Sequence, residues 1–176
     1  MSLTQKAIVL LATLLCFVSC AENKKPVVES MITVDGVSPL LTKDEFVAKG
    51  AKANGRFYQI GDPPKGEYAS ARFKSDGSVE EIWGSEISLD GKTLTTEKQS
   101  SAEILKKLGP PSKSIEGKKF YYYVFASGGQ RWALQIDALQ ERQYGSPSIG
   151  VINIDGKFQE CEPIDMTARL GEPGHE

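Results

Sequence analysis

Chemistry in this chain has to start from a single histidine, and that residue is His175, second from the end of the 176. A serine or cysteine nucleophile works through a neighbouring base that a third group orients. No imidazole stands in the body of the sequence to be that base. A Ser–Lys pair would need none, yet no Ser-x-x-Lys element opens a helix pattern, and Ser100, which does precede one, is accounted for as its cap. Zinc sites draw on several His and Cys ligands, which one histidine and three cysteines scattered along the chain do not supply. Glu80-Glu81 is the adjacent acidic pair in a strand pattern. Neighbouring strand positions point to opposite faces, whereas glycoside cleavage needs two carboxyls facing one bond, so solvated surface charge explains the pair. Asn153-Ile154-Asp155-Gly156 has its glycine too early for a calcium loop, and no glycine-rich phosphate loop is present. The residue types predict no catalytic centre, no metal and no cofactor.

Binding character lies in the aromatic run Phe120-Tyr121-Tyr122-Tyr123-Val124-Phe125. On a strand, Tyr121, Tyr123 and Phe125 share one side, and Phe120, Tyr122 and Val124 the other. The run reads two ways. It is a central strand covered on both sides, or Tyr121 and Tyr123, with Trp132 or Trp83, form a docking surface of the kind that tyrosine and tryptophan dominate. Such a surface would meet protein, glycan or peptidoglycan.

The elements that position these residues are marked by turns. Asp-Gly occurs at 35–36, 76–77, 90–91 and 155–156, and this dipeptide suits the positive φ angles of tight hairpins. The flanking runs predict strand pairs Met31–Val34 with Val37–Leu41, Glu67–Phe73 with Val79–Gly84, Glu86–Leu89 with Lys92–Thr95, and Ile149–Ile154 with Lys157–Cys161. A fifth hairpin joins Phe120–Phe125 to Arg131–Asp137, where Trp132, Leu134 and Ile136 alternate with more polar positions. Thr42-x-x-Glu45 and Ser100-x-x-Glu103 have the form of capping boxes. They predict two short helices, one ending by Gly50, the other at Leu108-Gly109-Pro110-Pro111 with Ile104, Leu105 and Leu108 on its packed face. The fold class expected is α+β, an antiparallel sheet of hairpins with two short helices packed on it. Capped helix, loop and aromatic hairpin follow one another twice, from Thr42 and from Ser100. That order fits a duplication or two unrelated units, since only the capping boxes align.

The start of the chain says where it belongs. Lys6 precedes a 12-residue apolar run, Ala7 to Val18, short of the roughly 20 residues a membrane span needs and suited to a secretory signal peptide. Phe17-Val18-Ser19-Cys20 resembles the lipobox of bacterial lipoproteins, with phenylalanine where leucine is usual and a small Ser19 before the cut. The resemblance implies a diacylglycerol on the Cys20 sulfur, often a further acyl (palmitate-type) chain on its amine, and a periplasmic membrane address. Ala21, where inner-membrane lipoproteins usually carry aspartate, implies the outer membrane. An ordinary cleaved leader is the alternative. Residues 1–19 are then the signal peptide, 20–30 a lipidated tether, 31–163 one α+β domain and 164–176 a flexible tail. Removing the leader takes one of 21 basic side chains and none of 23 acidic ones. The remaining charge is slightly acidic and unclustered, and no basic stripe marks a nucleic-acid partner. With Cys16 removed and Cys20 acylated, Cys161 is left to be buried, free, or paired between chains.

Helix, Leu108-Gly109-x-Pro111, then a tyrosine-rich hairpin also resembles small envelope lipoproteins of the SmpA/OmlA kind and the related beta-lactamase-inhibitor fold, over roughly Ser100 to Asp137. Ala126-Ser127-Gly128 with Arg131-Trp132 resembles the loop of lipoprotein lysozyme inhibitors. These resemblances imply a non-catalytic binding module for an envelope protein, in assembly or scaffolding, or else an inhibitor or immunity protein against a toxin or lytic enzyme. A cell-wall-acting enzyme is the expectation of a different class.

Overall fold

The computed structural model describes residues 31–62 and 67–171. The expected signal peptide and tether, Cys20 and His175 lie outside these residues. The fold is α+β, as the turn and cap pattern predicts. Eight antiparallel strands form one sheet in the order β2-β3-β4-β5-β11-β10-β9-β8, and β1-β6-β7 form a second. The ranges are β1 Ile32–Val34, β2 Lys52–Asn54, β3 Phe57–Asp62, β4 Glu67–Phe73, β5 Val79–Gly84, β6 Glu86–Leu89, β7 Lys92–Thr95, β8 Lys113–Ile115, β9 Phe120–Ser127, β10 Gln130–Asp137 and β11 Ser148–Asn153. Four short helices accompany them: α1 Lys43–Ala48, α2 Ser101–Leu108, α3 Leu139–Tyr144 and α4 Met166–Gly171. No helix among the described residues is long and apolar enough to cross a membrane.

The strand order shows an internal repeat of topology. Each half is a capped helix followed by four antiparallel strands, α1 with β2–β5 and α2 with β8–β11, and the halves meet where β5 pairs with β11. A two-fold relation perpendicular to the sheet follows from that antiparallel seam. The small sheet repeats it: Ile32-Thr33-Val34 pairs with Ile87-Ser88-Leu89, with Thr33 opposite Ser88 at the centre and an Asp-Gly dipeptide after each. Asp35 and Asp90 both have positive φ, 46° and 48°, and the amide of each donates across the pair, to Glu86 O and Met31 O, both at 2.9 Å. β1 lies against β5 as β6 lies against β11. Loop lengths differ between the halves, which is why little beyond the capping boxes aligns by eye.

The capping boxes are complete. Thr42 Oγ1 accepts from the Glu45 amide and Glu45 Oε2 from the Thr42 amide, and Ser100 with Glu103 does the same. Phe46 of α1, and Ile104 and Leu108 of α2, are buried against the sheet. Thr42→Ala or Ser100→Ala is expected to cost about 0.5–2 kcal/mol each in urea unfolding. The amide and hydroxyl bonds hold the carboxyls of Glu45 and Glu103 below their usual range. A carboxyl with a depressed folded pKa stabilises above its unfolded pKa, and this is lost as pH falls through the folded value. Asp76, bonded by Ser78, and Glu160, bonded by Lys113, shift the same way. Asp35, whose carboxyl burial raises, works the other way, but with four lowered carboxyls against one raised, stability should be level from neutral pH to about 5 and decline below it. Urea melts at stepped pH check this, and a rise in stability on acidification would contradict it.

Two predicted hairpins are corrected. After Gly36 the chain makes one bridge, Val34 to Val37, and then turns instead of continuing to Leu41, since Pro39 has no amide to donate; β1 pairs with β6 instead. Residues 157–161 turn back at Asp155-Gly156 but form no strand. Both edges of β11 are already taken, by β5 and β10, so the returning chain has no ladder to join and lies over the face. The expected tail from 164 is also overturned as far as residue 171. Ile164 packs against the main core, and Met166 and Leu170 of α4 are buried there. Residues 154–171 thus form a strap. It leaves β11 and crosses the helix-free face of β10 and β9, where Ile154, Phe158 and Cys161 pack on Tyr122, Val124 and Ala133. At the edge, Ile164 N donates to Val124 O at 2.8 Å, and α4 then docks beside α2.

Candidate functional site

One row of residues crosses the whole sheet in register: Lys52, Gln59, Ser70, Trp83, then Gly150, Gln135, Tyr122, Lys113. Directly opposed strand residues share a face, and the packing of Tyr122 under the strap identifies it as the outer one, away from the helices. The strap covers the outer face only at β9–β11. Over β3–β5 the face carries half-buried Phe57, Gln59, Arg72, Glu81 and Trp83.

Trp83 sits at the middle of this row. A Cβ on Gly150 would lie 2.5 Å from two atoms of the indole, so the ring lies over the bare backbone of β11, a close approach that only glycine permits. Beside it Arg72 is held by two carboxylates, Nη2 to Glu80 at 3.2 Å and Nε to Glu81 at 3.0 Å. A register shift between Arg72 and Phe73 turns both glutamates toward one guanidinium, so the expected opposite-face geometry gives way at a β-bulge. A shallow cavity of about 530 Å³ adjoins them, lined by Asn54, Arg56, Phe57, Arg72 and Glu81. The face therefore carries an indole, a phenyl ring and charges of both signs.

The predicted docking trio falls elsewhere. Tyr123 and Trp132 are 0 % and 1 % exposed and belong to the main core, with Tyr121 packed against it. They lie on the inner face, because α2 and α4 cover that side of β9 and β10. Tyr123 donates its hydroxyl to Gly109 O at the end of α2, 2.8 Å, and burial pushes its phenol up to about 12. Trp132 Nε1 donates to Ser127 O at 3.2 Å inside the same hairpin. The lysozyme-inhibitor-like loop thus presents neither Ser127 nor Trp132 to solvent. Cys161 belongs to the strap and is buried against the sheet, with its thiol 3.6 Å from Ser112 O. The outer-face role of Trp83 was open to sequence reasoning: a large aromatic on the polar phase of a strand, out of step with buried Ile82, is the signal.

A second concavity, about 570 Å³, opens between β3–β4 and the small sheet, where Asp35, Glu86 and Glu97 are among the lining residues. Burial raises the Asp35 carboxyl, an effect that hydrogen bonds from Ser85 oppose and the Glu97 charge adds to. Its oxygens accept the Ser85 amide and hydroxyl, both at 2.9 Å, and occupy the space a side chain at Gly84 would need. The two-fold mate Asp90 likewise accepts the Met31 amide, at 2.7 Å. Such a repeated role is that of a turn clamp, which accounts for Asp35 without catalysis. Glu141 is engaged too, accepting the amide and hydroxyl of Ser101 at the start of α2. Among the described residues no group of three or more His, Cys, Asp or Glu side chains is arranged to hold a metal ion.

Fold and site together define an α+β sheet protein with an internal repeat of topology, in which the described residues cover the outer face of one half and leave that of the other uncovered. No family model, curated protein or solved structure matches the chain.

Proposed function

We propose that this protein is a lipid-anchored lipoprotein of the bacterial envelope, held through Cys20 at the periplasmic face of the outer membrane. Its folded domain is a non-catalytic binding module for another envelope protein, in an assembly or scaffolding role. The lipobox-like Phe17-Val18-Ser19-Cys20 supports the anchor. Two or more acyl chains on one residue give stable attachment where a single chain gives marginal binding. The observation that carries the binding role is Trp83, laid over Gly150 on the outer face at the seam where β5 meets β11. An aromatic anchor on a flat face rimmed by charge is the usual core of a protein interface. The carboxylates that would suggest chemistry are engaged in the fold: Asp35 with Ser85, Glu80 and Glu81 with Arg72, Glu141 with Ser101.

The test has two parts, on protein expressed with its leader in a bacterial host. Mass spectrometry of the N-terminal peptide is expected to show diacylglyceryl-cysteine at position 20. A photo-crosslinking amino acid in place of Gln59, in the same outer-face row as Trp83, is expected to trap one envelope protein, while the same probe at exposed Leu139 does not. An unmodified Cys20 ends the anchor proposal, and adducts alike from both positions end the binding-face proposal.

A further inference from the structure

Charge is sorted along the small sheet. Asp35, Glu86 and Glu97 gather at the end of β6–β7 where Glu86 pairs with Thr95. The other end, where Leu89 pairs with Lys92 and the chain turns at Asp90-Gly91, is basic. Lys107 of α2 reaches it, its Nζ donating to Thr93 O at 3.4 Å, and exposed Lys106 stands beside it. Arg169 of α4 donates to Leu108 O at 2.8 Å and to Pro110 O. It thereby supplies the cation that the C-terminal end of α2 favours, and Lys106 and Lys107 are charge beyond that need. Of the acids nearby, Asp90 accepts the Met31 amide and Glu103 accepts that of Ser100.

The described chain also begins at this basic end. Met31 is fixed to the turn twice, its amide donating to Asp90 Oδ1 at 2.7 Å and its carbonyl accepting the Asp90 amide at 2.9 Å. It is 76 % exposed, more than any other large apolar residue among those described. Cys20 stands eleven residues before it, a reach of about 36–40 Å at most, so an acyl anchor there keeps this corner close to a bilayer. Resting on the anchor reading, we infer that the corner seats on the membrane, with Met31 at the interface and Lys106 and Lys107 over anionic lipid headgroups. Each lysine near an anionic surface contributes about 1 kcal/mol, and an apolar side chain among basic ones is the pattern of interfacial binding. The acidic end of the small sheet, three strand residues or about 10 Å away, then points off the bilayer. The small sheet shares its core with the inner face of the large one, so the docked corner leaves the outer face and Trp83 to the partner.

The test needs no acylation. The mature chain from residue 21, with a histidine tag at its start, is held on phosphatidylcholine vesicles by a trace of nickel-chelating lipid. The vesicles are made with and without phosphatidylglycerol as about one-third of the lipid. Hydroxyl-radical oxidation of Met31 is read against that of Tyr144, which is 68 % exposed on α3, the helix tied to the opposite end of α2 through Glu141 and Ser101. Phosphatidylglycerol is expected to slow Met31 oxidation about threefold or more and to leave Tyr144 unchanged. The slowing should vanish at about 1 M salt, where screening acts within ~3 Å. Lys106→Glu with Lys107→Glu should abolish it. Lys106→Glu alone, at an exposed position, should roughly halve it and keeps the test decisive should the pair disturb folding, which circular dichroism reports. Met31 oxidised alike on both vesicles overturns the inference, and is the result if the corner serves an acidic protein instead. Equal protection of Tyr144 and Met31, or protection that both variants retain, overturns it too. Protection on these vesicles together with an unmodified Cys20 in cells removes only the anchor; an acylated Cys20 without protection removes only the docked corner.

Discussion

Ending the chain after Asn153 is expected to abolish cooperative unfolding. The truncation uncovers Tyr122, Val124 and Ala133 on the outer face and takes away four side chains that are buried or nearly so, Ile154, Cys161, Met166 and Leu170. Each large apolar side chain returned to water costs about 1.5–3 kcal/mol, and a domain has only about 5–15 kcal/mol of net stability to lose. Arg131 would also lose both strap carbonyls and stay in the face as an uncompensated charge. Scanning calorimetry of the truncated chain should show no sharp transition, and a dye for exposed apolar surface should bind it. A midpoint within a few degrees of the intact chain would show that the strap is dispensable, against this reading of residues 154–171.

The second large effect separates the two tryptophans. Trp132→Ala is expected to destabilise by about 3–5 kcal/mol, the usual cost of emptying a core site of that size, and so to lower the melting temperature by about 10 °C or more. Trp83→Ala, at a half-buried position with its ring on Gly150, should cost about 1 kcal/mol or less while removing partner binding. Thermal melts of the two variants beside a crosslinking or pull-down readout give both numbers. Equal destabilisation by the two would mean that Trp83 is a packing residue and that the open face has no anchor.

The same contrast explains what the sequence could and could not say. The hairpins around Asp76-Gly77 and Asp90-Gly91, the aromatic hairpin and both capped helices were legible, because local chemistry decides them: positive φ at the turns, a reciprocal hydrogen bond at each cap, period-two burial in β10. The strands at 37–41 and 157–161 were misread because strand formation also needs a free edge, and edges are a property of the assembled sheet. The tyrosines were misplaced for a related reason. Alternation groups Tyr121, Tyr123 and Phe125 correctly on one side, but only the docking of α2 and α4 makes that side the interior. The repeat of topology is visible in register and strand order while the intervening loops hide it in the sequence: Gly55-Arg56 joins the first two strands of one half, and residues 116–119 do so in the other.

The most direct test of the account is hydroxyl-radical footprinting of the chain, once purified and once in native envelope membranes, with oxidation read residue by residue. The account predicts that Phe57 and Trp83 are oxidised in the purified protein and protected in membranes, and that Trp132 is unreactive in both. Equal oxidation of Trp83 in the two preparations would contradict it.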